Sequence, residues 1–462
     1  MNRGLSGAGL LPRSRASARP EPFRRAEAGA EGAARGRSPA PQLSLLLLLA
    51  AAASAQQPTP LTLAQAQQLA IQNNPQFSAA RYNAAAAYQV PNEYKANFAP
   101  SVFGSFTSVG ADNGSRLAAG GLNNPVVYNR VGSGLSVGQL ITDFGRTKNL
   151  VGMANLQAQA EDQTTETTRA QILLRVSQAY FAALRAQAVL QVADQTVADR
   201  QLVADQVSAL AQSKLKSNLD VSFANVNLSD AKLLQVQAQN DVKATQAQLA
   251  TAMGLPNETG LTLAEEPMPS QLPDRVNDLV SQAVQNRPEL KDLRLRQSAA
   301  ERFAKAEHDL YFPSIGVVGT AGFVPAGYAG VPSRYGAIGL NVNIPILNGG
   351  LFKARETEAQ IKAKAAAENI TGEENRVVRD VRVAYLNATT AYDRLGLTQQ
   401  LLDQAKMGRD LAQSRYELGL GSIVELSQAQ LNLTSAQIAN TTAKYDYQAQ
   451  RVNVDYQVGT LR

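Results

Sequence analysis

GAIGLNVNIPILNGG, residues 336–350, reads as a strand that runs into a turn. Ile338, Leu340, Val342, Ile344 and Ile346 fall on one face, and Ala337, Gly339, Asn341, Asn343 and Pro345 on the other. That is a period of two with a wholly apolar side. Two further segments follow suit. Ile315, Val317, Gly319, Ala321 and Phe323 oppose Ser314, Gly316, Val318 and Thr320, while Leu135, Val137 and Ile141 oppose Gly132, Gly134, Ser136 and Gly138. A soluble sheet packed on one side would carry Lys and Glu on its wet face, but these faces carry Gly, Ser and Asn. Segments of about ten residues with this pattern are expected of membrane strands lining a wet lumen. The linkers GADNGSRLAAGGLNNPVVYN (110–129) and VPAGYAGVPSRY (324–335) suit long external loops. Four strands cannot close a barrel, which needs about eight, so the barrel has to be shared between subunits.

Working outward, the chain repeats itself. GLSV (134–137) matches GLNV (339–342), AYF (179–181) matches AYL (384–386), and Met253-Gly254 matches Val458-Gly459, all at an offset of 205 (339 − 134). LAIQNNPQF (69–77) matches QAVQNRPEL (282–290), and APSV (99–102) matches FPSI (312–315), at an offset of 213 (282 − 69). The difference falls between the first two strand-like segments. We expect a leader at residues 1–55, a first repeat at 56–254, a Pro-rich linker at 255–273 and a second repeat at 274–462. Each repeat reads helix, strand, strand, very long helix, helix. Pro75 and Pro288 sit where a helix restarts, and about 23 residues then lead to Pro100 or Pro313 as one helical segment.

No proline falls between Arg146 and Leu210, a run predicted to form a helix of about 97 Å. Ile172, Val176, Ala179, Ala183, Ala186, Leu190, Ala193 and Val197 follow a 4-3 spacing rich in Ala, so neighbouring helices can approach closely. The returning helix, from about Leu219 to Ala252, is only about 51 Å long. The segment at 76–98, stacked end to end with it, makes up most of the difference.

Composition excludes several classes. There is no Cys, hence no disulfide framework and no thiolate metal site. The net charge of +6 is concentrated at the start: residues 1–42 hold eight Arg and three Glu, which leaves the rest of the chain near neutral and predicts no nucleic-acid partner. Those arginines precede LSLLLLLAAAASA (43–55), the order of a secretory signal with cleavage after Ala55. The one histidine, His308, lies in AEHDLYFPS beside Tyr311 and Phe312, where a membrane–water boundary residue is expected. No Gly-Lys-Ser/Thr phosphate loop is present, and neither a metal site nor a cofactor is predicted. The chain reads as no enzyme.

The duplicated plan, the strand-to-helix turns DFGRTKN (143–149) and NGGLFKAR (348–355), and RYELGLGSIVELSQAQLNL (415–433) together resemble the TolC-type outer-membrane efflux family. Asp143, Gly145, Asn348, Gly349 and Gly350 carry those turns. The resemblance implies a mixed, mainly α fold: an outer-membrane β-barrel with four strands per chain, shared in a homotrimer and continued into the periplasm by a long α-helical barrel. It also implies contact with outer-membrane lipid, and partners in a periplasmic adaptor and an inner-membrane pump. The helix-breaking turns then become periplasmic tips that gate the tunnel, with Gly419, Gly421 and Ser422 at one and Lys214, Lys216 and Ser217 at the other. Glu425 and its repeat partner Asp220 (425 − 205) match the acidic ring of the gate. A second acidic position falls on Gln428, and the basic latch position on Gly421, leaving Lys214 and Lys216 as substitutes. Ser422 and Glu425 also spell an S-x-x-E capping box. The glycines are expected to make the second tip the more compliant. The competing reading is an exported coiled-coil structural or adhesion protein, which has no need of four lipid-facing strands.

Overall fold

The computed structural model describes residues 60–110, 112, 129–256, 260–273, 275–326 and 332–461. The expected leader at 1–55, most of the first inter-strand linker and residues 327–331 of the second lie outside them. Helix α1 (Leu63–Asn73) opens with a Thr62/Gln65 capping box, and Asn74 caps α2 (Pro75–Ala87), whose first residue is the restarting proline. The expected single segment at 76–98 is instead divided. The helix stops at Ala87, resumes as α3 (Val90–Lys95) and ends in a short 3-10 turn. Pro91 is the cause, because it offers no N–H to the preceding turn and its ring crowds the carbonyl four residues back. Its counterpart in the second repeat is Ala304 (91 + 213).

β1 (Ser101–Val109), β2 (Arg130–Thr142), β3 (Ser314–Ala326) and β4 (Arg334–Asn343) form one antiparallel sheet in the order β1-β2-β3-β4. The register aligns the apolar positions. Val102 pairs with Val137, Val137 with Gly319, and Gly319 with Ile338; four residues along, Phe106 and Phe323 flank the small Ser133. One apolar face therefore crosses all four strands, and Val102, Phe106, Leu135, Ile338 and Leu340 on it are exposed in the single chain. β4 ends at Asn343 rather than continuing to Ile346, because Pro345 cannot donate to a ladder. Ile344 and Ile346 remain exposed beyond it.

From each strand pair a 67-residue helix departs: α4 (Arg146–Gln212) and, after α6 (Val276–Asn286) and α7 (Pro288–His308), α8 (Leu351–Glu417). Each is about 100 Å long. Their returning partners are α5 (Asn218–Ala252) and α9 (Ile423–Val458). Along its first half α4 packs on α2, where Arg175 reaches Gln76 and Tyr88 donates to Asp162; farther on it meets α5, where Gln235 donates to Asp194. α7 also packs against both α4 and α8, so the repeats are joined side by side. Ile172, Val176 and Ala183 are buried with Ala66, Ala70 and Leu249, while Val377, Val381 and Ala388, their counterparts at offset 205, are buried with Ala283, Leu290 and Val454. Of the other expected seam positions, Ala186 and Ala193 are buried, whereas Ala179, Leu190 and Val197 are half-buried.

The linker is strapped across this core. Leu61 and Leu263 form a parallel bridge, and the buried Tyr180 hydroxyl lies 2.8 Å from the Leu61 carbonyl and 2.6 Å from that of Ala264. Burial, with Glu266 nearby, pushes that phenol well above its usual range. From the second repeat, Tyr447 donates to the Ser270 carbonyl at 2.7 Å.

Candidate functional site

The tips lie where α4 and α8 end. Each turn satisfies its last carbonyls in the same way. Leu215 N–H donates to the Leu210 carbonyl at 2.9 Å, as Leu420 does to Arg415 at 2.8 Å; Lys214 donates to Ala211 at 2.9 Å, as Gly419 does to Tyr416 at 3.1 Å. Both turns need one left-handed residue. Gly419 supplies it at φ +74° and Lys214, its counterpart, at φ +59°. The glycine-free first tip therefore closes on the same left-handed corner as the second; the second adds a bond from the Gly421 N–H to the Arg415 carbonyl at 3.0 Å, which has no counterpart at Lys216 among the described bonds, and the side chains differ. Gly421 is not left-handed. A Cβ there would meet Arg415 Cβ and Glu425 Oε2 at 3.2 Å, so glycine serves a close approach.

The acids are held differently. Ser217 and Asp220 form a full capping box: Asp220 N–H donates to Ser217 Oγ at 3.2 Å, and the Ser217 N–H and hydroxyl donate to Asp220 Oδ2 at 3.0 and 2.8 Å. At the second tip only half of the expected box forms. Glu425 N–H donates to Ser422 Oγ at 3.1 Å, but the Glu425 carboxylate turns to Arg415, whose Nε lies 3.1 Å from Oε1. The Arg415 guanidinium also donates to the Leu420 carbonyl at 3.3 Å, so it staples the turn.

A hydrophobic cluster joins the tips: Ala204 and Val207 of α4, Ala224 and Leu228 of α5, Tyr416 of α8, and Ile423 and Leu426 of α9. Over the Tyr416 ring sits Lys216 Nζ, 4.0 Å from its centre. Burial raises the Tyr416 phenol above its usual range, and the Asp220 carboxylate adds to the shift. Farther up, the buried Arg200 donates to Gln430, and Asn227 donates to Ser427 at 2.7 Å. The sequence singled out Lys216 but not its partner, and missed Arg415 and Arg200. Comparing repeats at offset 205 sets Leu210 against Arg415, which is the signal that marks the arginine.

At the other end of the long helices, the strand-to-helix turns also repeat. Phe144 and Gly145 take φ +54° and +123°, and their counterparts Gly349 and Gly350 take +61° and +83°. Asp143 is buried and accepts from the Thr147 N–H at 2.8 Å and its hydroxyl at 2.5 Å, while the Asn348 carbonyl accepts from Leu351 N–H at 3.1 Å. Aromatic rings gather here: His308 lies against Tyr311 and Phe312, Phe144 against Phe312, and Tyr311 against Phe352. His308 Nδ1 lies 3.0 Å from Glu356. The rings thus cluster where the strands hand over to the long helices.

A sheet with one apolar face, collared by aromatics and continued by helices that turn back at charged tips, defines a channel protein with a β-barrel domain and a helical barrel. The chain belongs to the outer membrane efflux protein family, whose model matches residues 66–255 and 279–460. It is 25% identical over 416 residues to the outer membrane protein TolC of Escherichia coli K12, covering 86% of this chain and 82% of that protein. The toluene efflux pump outer membrane protein TtgC of Pseudomonas putida is 24% identical over 64% of this chain and 62% of its own length. Among solved structures, CusC superposes with a TM-score of 0.74 at 18% identity, covering 87% of this chain and 92% of that one. The Vibrio cholerae outer membrane protein VceC superposes with a TM-score of 0.70 at 17% identity, covering 86% and 96%. The protein is an outer-membrane efflux channel whose helical barrel extends into the periplasm. The coiled-coil adhesion reading finds no support in these relatives.

Proposed function

We propose that three copies of the chain join sheet edge to sheet edge, forming one barrel in outer-membrane lipid and one tunnel across the periplasm. The carrying observation is the sheet itself: its apolar face is continuous, and β1 and β4 lie at its two ends without a neighbour beyond them among the described strands. With an even number of strands per chain, β4 of one copy meets β1 of the next antiparallel, so the alternation survives closure. The duct is passive, takes its energy from an inner-membrane pump reached through a periplasmic adaptor, and catalyses no reaction. We take residues 1–55 as the removed leader, and 56–254 and 274–462 as repeats joined by 255–273.

In this reading the tips close the periplasmic end, and Asp220 and Glu425 contribute its acidic ring. The tip cluster supports it, because it packs all four helix ends on one another through few large side chains. Electron cryo-microscopy of the detergent-extracted protein is expected to show a threefold hollow cylinder about 140 Å long; any other symmetry overturns the assembly. Single-channel recording of the Asp220→Ala/Glu425→Ala variant is expected to show loss of divalent-cation sensitivity. Unchanged conductance and sensitivity would remove both acids from the gate.

A further inference from the structure

We infer that Arg415 sets the ion selectivity of the channel by cancelling the charge of Glu425 within the same chain. This inference rests on the gate reading, in which Glu425 lines the constriction.

Four observations converge on the pair. Arg415 Nε and Glu425 Oε1 are 3.1 Å apart across the turn, and both side chains are about half exposed, at 48% and 44%. The Glu425 carboxylate is free for this contact because it leaves the capping box that its counterpart Asp220 completes. Glycine at 421 keeps the space between them open: a Cβ would lie 3.2 Å from both the Arg415 Cβ and the Glu425 carboxylate. The guanidinium is fixed from its other side by the Leu420 carbonyl. None of these elements exists in the first repeat, where Leu210 stands in place of Arg415 and Lys216 in place of Gly421.

The consequence is electrostatic. A carboxylate ring attracts cations in proportion to its net charge. Here each copy's Glu425 has a cation at hydrogen-bonding distance, so the second tip contributes a dipole rather than a charge. Asp220 has no such direct ion pair among the described residues: its carboxylate accepts from the neutral Ser217 N–H and hydroxyl, and the Lys216 ammonium lies over the Tyr416 ring. The constriction is thus expected to carry less negative charge than its two acids suggest, by the share that Arg415 cancels at Glu425.

The test measures reversal potentials of the purified full-length protein in planar bilayers under a KCl gradient. R415Q is expected to raise the potassium-over-chloride permeability ratio by roughly fivefold, the factor given by one unit charge near contact distance in water. R415K keeps the wild-type ratio, E425Q lowers it, and R415Q/E425Q returns it to the wild-type value. A ratio unmoved by R415Q while E425Q lowers it would leave Glu425 at the constriction and overturn the cancellation. If neither single variant moves the ratio, the gate assignment fails and the inference with it. Oligomer mobility on gel filtration, unchanged in all four variants, separates these outcomes from misfolding.

Discussion

Lys214 and Gly419 occupy the same left-handed corner of two equivalent turns, yet they bear on stability differently. A Cβ at 419 would touch nothing within 4 Å, so Gly419→Ala carries only the backbone cost of the left-handed region, about 1–2 kcal/mol. Lys214 already bears that cost. Lys214→Gly relieves it but loosens the unfolded chain, and is expected to be near neutral. Amide exchange at residues 415–422 and 210–217 checks this: protection falls at the second tip in the first variant and is unchanged at the first tip in the second. The sequence shows glycine at one tip and none at the other, from which unequal compliance is the natural expectation. It does not show that a lysine accepts the glycine's φ, because that depends on hydrogen bonds closing the turn from both sides. Nor does it show that Glu425 abandons its capping box, since the choice between Ser422 N–H and Arg415 is made in three dimensions.

Among the elements, the junctions at the far ends of α5 and α9 are held by a pair of glycines that the repeat had already matched. Gly254 (φ +77°) and Gly459 (φ +78°) pass beneath the helix restarts at Asn73-Asn74 and Asn286-Arg287. A Cβ on Gly254 would lie 2.7 Å from the Asn73 carbonyl oxygen, whereas on Gly459 the nearest atom is the Arg287 nitrogen at 3.1 Å. Both contacts are backbone, so neither neighbour can swing aside. Gly254→Ala is therefore expected to cost about 3 kcal/mol and Gly459→Ala about 2, with Gly254→Ala showing the lower Tm in detergent by calorimetry. A reversed order would mean that the second junction is the stiffer one. Helix extents were legible because long proline-free runs leave few alternatives: the expected runs from Arg146 to Leu210 and from Leu219 to Ala252 differ from α4 and α5 by two residues and one at a single end each. The break before α3 depends on Pro91 alone, a local fact that the repeat comparison averaged away because Ala304 continues the helix. The joining of the tips was not legible, since Lys216 meets Tyr416 two hundred residues along the chain and no periodicity links them.

For the whole molecule, the four-stranded sheet sets the problem that assembly has to solve. Its register places Val102, Val137, Gly319 and Ile338 abreast, so the apolar band is already level within one copy. Unpaired edges in such a band are costly, because no water reaches the free N–H and C=O groups of β1 and β4. A wall of 67-residue helices stiffens this sheet from below, and α7, packed on both α4 and α8, keeps the repeats from splaying. The free edges are then best satisfied by the next copy rather than by curling the chain on itself, since four strands are too few to close. The chain has no cysteine, which makes cross-linking across these edges clean. Single cysteines placed along β1 and along β4, combined pairwise and oxidised in membranes, are expected to give a denaturing-gel ladder of monomer, dimer and trimer that goes no higher. Only pairs in register should link, at Cβ separations of about 4 Å. A ladder running past the trimer would mean an open or larger ring, and an absence of linked species across all pairs would mean that the edges are covered by something other than this chain.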